Sequence, residues 1–436
     1  MSYSNYLTLI DEITENIQKG ENLDISYNKL GVIYAELNDF EKAEKYFLES
    51  INNNSSYFEP YINLGIIYGK RKKYKDAVSF LLTALSIKPN NYNICYNLAY
   101  AYQELGVIDK AIYYYGLSVK YKPDYANSYF NRSLLYLLTG KYEEGWNDYY
   151  EWGYKSGDLT KRALEGIEWN GENLRNKTIL IYCDQGYGDT INFIRYAQFI
   201  KMNGAYIFVE VPKCLQKLFL NFNSIDKLII KEETSLPKTD YYSSIFKLAK
   251  FFYANTDKQI NFPYLYPTKR EVNKWKQFLG DNKKLKIGFV WKGNPIPEIN
   301  NKRHIELHYF YKLFAIKNTE WYSLHPEKNI EITIAKEKFS NVLDLTKNIT
   351  NFNSTAALIC NLDFVVSIDS AVAHLSGALN KTVLLMLNFM PDWRWGLWGN
   401  TTNMYPSAKI FRQKEIGNWE MVINEIYDYI ISLNNN

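Results

Sequence analysis

This 436-residue sequence has no uncharged apolar run long enough to cross a bilayer as a helix. Cysteine is scarce, and the four present (Cys95, Cys183, Cys214, Cys360) stand far apart in apolar settings. That spacing builds neither a disulfide framework nor a thiolate metal site, and it fits reduced, buried thiols. The first twenty residues carry acids early and no signal-type apolar block. A soluble cytoplasmic protein is the expectation. An excess of one charge is also lacking. Lys and Arg total 51 against 47 Asp and Glu, a formal net charge of +4, so bulk charge leaves no nucleic-acid footprint. The basic run Lys70-Arg71-Lys72-Lys73 is local and reads as a solvated helix end. No Walker loop, GxSxG elbow, HExxH or CxxC pair occurs, which argues against a P-loop nucleotidase, an elbow-type serine hydrolase and a zinc enzyme. Neither a metal nor a cofactor is expected.

What is present in quantity is repetition. A shift of 34 residues lays the first third of the chain onto itself. Leu30, Leu64 and Leu98 align, as do Gly31, Gly65, Ala99 and Ser133, then Tyr34, Tyr68, Tyr102 and Tyr136. Ala43, Ala77, Ala111 and Gly145 recur later in each unit. Small residues let two helices of a hairpin close together, while aromatics fill the gap to the next hairpin. The period and pattern resemble tetratricopeptide repeats: four units over about 25–154, with one helix before them. Such arrays expose a groove suited to a protein or extended peptide, and they also offer a surface for self-association. The fourth unit departs, with Arg132 where Leu98 stands in the third.

From Lys177 the rhythm changes to alternating strand and helix. Strands are expected at 178–183, 206–211 and 227–230, with helices at 191–202 and 213–222. The pattern weakens over 231–279 and restarts with strands at 285–291, 321–324, 342–345, 364–368 and 383–387. Helices are expected at 306–314, 354–361, 371–379 and 418–433. Alternation of this kind builds parallel sheets covered on both faces, with ligands at the carboxyl ends of strands. The domain reading is repeats over 1–154, a junction over 155–176, and two Rossmann-like halves over 177–282 and 283–436.

Three loops follow strand ends. In the first, Gln185-Gly186-Tyr187-Gly188-Asp189-Thr190, glycines permit close backbone approach, and Asp189 fits either a helix N-cap or a general base. The GxG alone is no dinucleotide fingerprint. The second holds Lys292, Gly293 and Asn294, with Arg303 and His304 downstream; Lys292 and Arg303 could neutralise a diphosphate leaving group. The third is Asp369-Ser370-Ala371 with His374, a buried strand running into a helix start that suits phosphate oxygens. One helical turn places His374 on the side of Ser370.

With those residues in view, the chain resembles bacterial proteins that join tetratricopeptide repeats to a heptosyltransferase-like glycosyltransferase domain, and more distantly O-GlcNAc transferase. The matching segments include Glu144-Gly145-Trp146, Trp169-Asn170-Gly171-Glu172-Asn173-Leu174 and Asp184-Gln185-Gly186-Tyr187-Gly188-Asp189-Thr190. Further matches are Gly288-Phe289-Val290-Trp291-Lys292-Gly293-Asn294-Pro295, Asp369-Ser370-Ala371-Val372-Ala373-His374 and Pro391-Asp392-Trp393-Arg394-Trp395. The resemblance implies a GT-B fold of two Rossmann-like halves and an inverting, metal-independent transfer from a nucleotide-sugar. It implies Asp189 as base, and Asp369, Ser370, Ala371 and His374 at the donor diphosphate, beside Lys292, Asn294 and Arg303. Gln185, Gly186, Gly188 and Thr190 would line the acceptor loop. The implied acceptor is a Ser or Thr hydroxyl of a protein held by the repeats, flagellin for example. Alternatives are a glycan or lipid acceptor, or a repeat scaffold whose nucleotide-binding domain is inactive. Asp184 stands where the relatives usually carry Glu, and Asn192 where they carry Gln.

Overall fold

The computed structural model describes residues 3–160, 162–184, 186–231, 235–256, 260–293 and 303–434. The chain divides into two compact units, Met1–Thr160 and Lys161–Asn436.

The first unit is helical. Helix α1 (Tyr3–Gln18) precedes four hairpins: α2 (Leu23–Glu36) with α3 (Phe40–Asn53), α4 (Glu59–Lys70) with α5 (Tyr74–Ile87), α6 (Tyr92–Glu104) with α7 (Ile108–Tyr121), and α8 (Ala126–Leu138) with α9 (Tyr142–Ser156). The aligned small residues do what their size allows. A Cβ added to Gly31 would stand 2.5 Å from the Phe47 ring, and one on Gly65 2.5 Å from Leu81. Glycine therefore sets how closely each pair packs. Ala43 and Phe47 of one hairpin join Leu64 and Ile67 of the next in a buried cluster. Arg132, the odd residue of the fourth hairpin, pairs with Asp148 at 2.7 Å and lies over the rings of Tyr129 and Tyr136. Its charge is answered inside its own hairpin.

The second unit holds two parallel sheets. The first runs through β1 (Ile167–Glu168), β2 (Thr178–Tyr182), α10 (Tyr187–Phe193), α11 (Ala197–Met202), β3 (Tyr206–Val211), α12 (Lys213–Phe219), β4 (Lys227–Ile230) and β5 (Tyr241–Ser244), in the order β1-β5-β2-β3-β4. Helices α13 (Leu248–Thr256) and α14 (Lys269–Leu279) lead to the second sheet. It comprises β6 (Leu285–Val290), α15 (Tyr311–Phe314), β7 (Thr319–Ser323), α16 (Ile330–Lys338), β8 (Val342–Asp344), α17 (Phe352–Cys360), β9 (Phe364–Ile368), α18 (Ala371–Ala378), β10 (Val383–Leu387) and β11 (Ala408–Arg412), closed by α19 (Trp419–Asn434). The strand order there is β11-β10-β9-β6-β7-β8. Every residue of β9 and β10 is buried, as central strands covered on both faces require.

Several elements differ from the sequence expectation. The segment read as a junction contributes β1, which pairs with β5 at the sheet edge. The single helix expected over 191–202 is two, α10 and α11, with a 3-10 turn at Ile194–Tyr196 between them. Strand β5 sits in the weak stretch because Ser243 and Ser244, both fully buried, interrupt its apolar signature. Strand β11 and helix α16 were not anticipated, since β11 carries Lys409 and Arg412 among its apolar residues and four of the nine residues of α16 are charged.

In each sheet the strand order reverses once, between β5 and β2 in the first and between β9 and β6 in the second. Such switch points leave a crevice at the carboxyl ends of the strands. The helices that follow β2 and β9, α10 and α18, pack directly on one another, so the two switch points meet at one seam. Arg195, fully buried, donates to the Met404 carbonyl at 2.8 Å and so ties the two halves together.

Candidate functional site at the seam of the two sheets

At the end of β9 the backbone turns extended at Ser370, whose hydroxyl caps α18 by accepting from the Ala373 amide at 3.3 Å. The same hydroxyl bonds Ser367 Oγ at 2.9 Å. Strand end, cap and helix start lie as the spacing of Asp369, Ser370 and Ala371 predicts, with the first amides of α18 left for an acceptor. Opposite them lies the first turn of α10. An ideal Cβ on Gly188 would stand 2.9 Å from His374 Cδ2 and 3.6 Å from the Ala371 amide nitrogen. Glycine is required there by contact rather than by backbone angle.

The charged groups form a chain. His374 Nε2 lies 3.8 Å from Asp369, too long for a hydrogen bond. Asp369 pairs with Arg303 at 3.2 Å, and Arg303 reaches Asp392 at 3.3 Å. Asp392 takes a short bond from Arg394 at 2.6 Å, and the other arm of Arg394 donates to Asp189. Asp189 is therefore not the N-cap of α10, a place held by Gly186; its carboxylate is turned across the seam to Arg394. Thr190 is fully buried and its hydroxyl donates back to the Gly186 carbonyl at 3.2 Å.

Burial governs the protonation of this chain. It pushes the His374 imidazole well below its ordinary pKa, and the Arg394 charge adds to the effect, so the ring is neutral. His374 Nδ1 meets the Tyr405 hydroxyl at 3.0 Å, and its ring stacks on Trp395 with centroids 5.1 Å apart. Burial also raises Asp369, against the pull of Arg303. Asp392 is held below the usual carboxylate range: burial opposes its charge, but Arg394 and Arg303 outweigh that. Arg394 is likewise desolvated by burial yet kept charged, its pKa raised by Asp189 and Asp392. Three carboxylates thus face two guanidinium groups.

Asp184, at the switch point of the first sheet, accepts a hydrogen bond from Ser244 at 2.7 Å. It keeps exposed surface while protein encloses it on most sides, and burial lifts its carboxyl to about 6. Lys292 belongs to a second cluster. It pairs with Glu331, which also accepts the Trp291 indole N–H at 2.5 Å. Burial, then Lys292, lowers the neighbouring His304. Arg303 and His304 join this cluster to the ionic chain by adjacency in sequence.

The structure therefore gathers Asp189, Gly188, Arg303, Asp369, Ser370, Ala371 and His374 at one seam and sets Lys292 apart with Glu331. Gln185 and Asn294 lie outside the described residues. Asp392, Arg394, Asp184 and Glu331 were not picked out as site residues from sequence. The signal for the first two was present: an Asp-Trp-Arg-Trp run puts paired opposite charges among tryptophans that want burial.

Comparison with known proteins adds the following. Residues 325–416 match glycosyltransferase family 9 (heptosyltransferase), and residues 25–57, 58–91 and 92–125 match the tetratricopeptide repeat. Protein FlbA of Caulobacter vibrioides is 23% identical over 329 residues, covering 68% of this chain and 53% of FlbA. The chain thus spans about half the length of the curated relative it matches. Among solved structures, the tetratricopeptide protein YrrB shares 19% identity over 33% of this chain and 75% of its own, with a TM-score of 0.31. A glycosyltransferase family 9 protein from Veillonella parvula shares 13% identity over 60% of this chain and 97% of its own, with a TM-score of 0.45.

Proposed function

Starting from a chain that joins tetratricopeptide repeats to a glycosyltransferase family 9 domain, we propose that it moves a sugar from a nucleotide-sugar to a hydroxyl of a protein held by the repeats. The observation that carries this reading is the seam. An α-helix N-terminus with Asp369, Arg303 and His374 on one sheet faces Asp189 on the other. Diphosphate oxygens take the free amides at the start of α18 and the guanidinium of Arg303. Lys292, beside Glu331 at the end of β6, reaches the nucleotide side of the same donor. His374, neutral and held by Tyr405, offers an uncharged N–H rather than a cation.

The reaction is inverting. Asp189 takes the proton of an acceptor hydroxyl as its oxygen bonds the anomeric carbon, and the bond from that carbon to the diphosphate breaks in line. The electron pair leaves on the phosphate oxygen, where Arg303 and the α18 amides stabilise it without calling on a metal ion. The acceptor is a Ser or Thr side chain, with a surface-appendage protein such as flagellin the proposed partner.

A second reading draws on one contact. Because Arg394 occupies Asp189, the domain could bind nucleotide without turnover and leave the repeats as a peptide scaffold. Incubation with a panel of nucleotide-sugars separates the two. Donor hydrolysis, or transfer to flagellin, supports the enzyme; binding without either supports the scaffold. Removing residues 1–160 then tests the acceptor: transfer to a protein should fail, and a small glycan taken as acceptor in its place would point to a glycan-directed enzyme.

A further inference from the structure

Arg394 is the hinge of the ionic chain, and its two arms are committed to opposite sides of the seam. One donates to Asp392 at 2.6 Å, in its own loop, and the other donates to Asp189 across the seam. We propose that Arg394 is a donor-responsive latch: it holds Asp189 in the donor-free protein and is drawn onto the donor diphosphate, which frees Asp189 to act as base. This inference rests on the transferase reading above.

Three observations carry it. First, the charges do not suit a diphosphate as they stand. Asp189, Asp369 and Asp392 already engage both terminal nitrogens of Arg303 and of Arg394, so an incoming dianion finds neither fork free. At least one guanidinium must change partners for the donor to bind. Second, Arg394 is the one with a partner that gains by the exchange. Arg303 is bound to Asp369 and Asp392, both in the same half, whereas releasing Arg394 from Asp189 frees a carboxylate that has chemistry to do. Third, Arg394 already acts on the groups at the start of α18. Its charge bears on both Asp369 and His374, and its Nε is buried without a hydrogen-bond partner among the described residues. A buried donor of that kind is held ready for an acceptor. Asp392 keeps Arg394 tethered throughout, so the exchange needs a side-chain rotation and no movement of the helix. The consequence is ordered chemistry: the base stays neutralised until a donor is present, which limits proton abstraction in its absence.

A double-mutant cycle tests this on the full chain, read by calorimetric titration with nucleoside diphosphates (UDP, GDP, ADP and CDP). Asp189→Asn releases Arg394 in advance, so the diphosphate that binds wild type should bind this variant about tenfold more tightly, the worth of one charge-assisted contact. In an Arg394→Gln background the same Asp189→Asn change should leave affinity unchanged. Equal tightening in both backgrounds would mean simple repulsion between Asp189 and phosphate, and no tightening in either would mean the two sites are independent; each result overturns the latch. Should Arg394→Gln not fold, Arg394→Lys serves, since an ammonium lacks the planar fork that sets one arm on each carboxylate. There the effect of Asp189→Asn should shrink by at least half. A wild type that binds none of the diphosphates removes the transferase reading itself, and the latch with it.

Discussion

Asp392 is the residue on which the integrity of the seam depends most. Its carboxylate sits between Arg303 at 3.3 Å and Arg394 at 2.6 Å, with only 15% of the side chain exposed. It also caps the short turn Trp393–Trp395 by accepting from the Arg394 amide at 3.1 Å. Replacing it with alanine leaves the largely buried Arg394 and the partly exposed Arg303 each short of a partner, and the turn uncapped. Breaking a buried pair costs about 3–5 kcal/mol, and a lost cap about 1 kcal/mol, so Asp392→Ala should destabilise the second unit by about 4 kcal/mol. The sign with pH follows from the depressed pKa. Asp392 contributes stability that is present above its ordinary value of 3.8 and is lost as pH falls through the lower folded value. The gap between wild type and variant should therefore be full at neutral pH and close at pH values below about 4. Urea unfolding followed by tryptophan fluorescence is the assay, since Trp393 and Trp395 follow within three residues of the substitution. A loss under about 1 kcal/mol at pH 7 would refute the view that this ionic chain holds the loop against the seam.

Other perturbations reach other parts of the account. Gly188→Ala places a methyl 2.9 Å from His374, which is buried and cannot retreat; a cost of about 1–3 kcal/mol and weakened nucleoside diphosphate binding should appear together in melting and titration. Gly31→Ala pushes on the buried Phe47 ring from 2.5 Å, so circular dichroism should show the helical unit melting earlier while diphosphate binding stays as it was. Asp184→Asn should change stability only with pH. The raised carboxyl of Asp184 lends stability fully below its ordinary value of 3.8, and this is lost as pH rises through about 6. The variant should thus gain on wild type between those limits, and parallel melting curves across that range would contradict the assignment.

Much of this was legible in the sequence, and for identifiable reasons. The 34-residue period announced the hairpins because size is tightly constrained where Gly31 meets Phe47 and Gly65 meets Leu81. Strands β9 and β10 fell on their apolar runs because strands deep in a parallel sheet are buried on both faces. The Asp369-Ser370 junction showed itself as an abrupt end to such a run. Strand β5 stayed hidden because Ser243 and Ser244 are buried through hydrogen bonds, including the one to Asp184, instead of through apolar area. The pairing of Asp189 with Arg394 spans 205 residues, and no local pattern carries a contact of that range. For the same reason Lys292 looked like a partner of the diphosphate loop, while the fold hands it to Glu331 on a helix that charge alone would leave as a solvated surface.

The central claim is that Asp189 and the start of α18 are two sides of one transfer site. It is tested most directly by Asp189→Asn, measuring sugar transfer from the nucleotide-sugar that wild type uses alongside affinity for the matching nucleoside diphosphate. The account predicts transfer reduced by about a thousandfold or more with diphosphate affinity retained or improved. Transfer at the wild-type rate with the donor bound as before would contradict it.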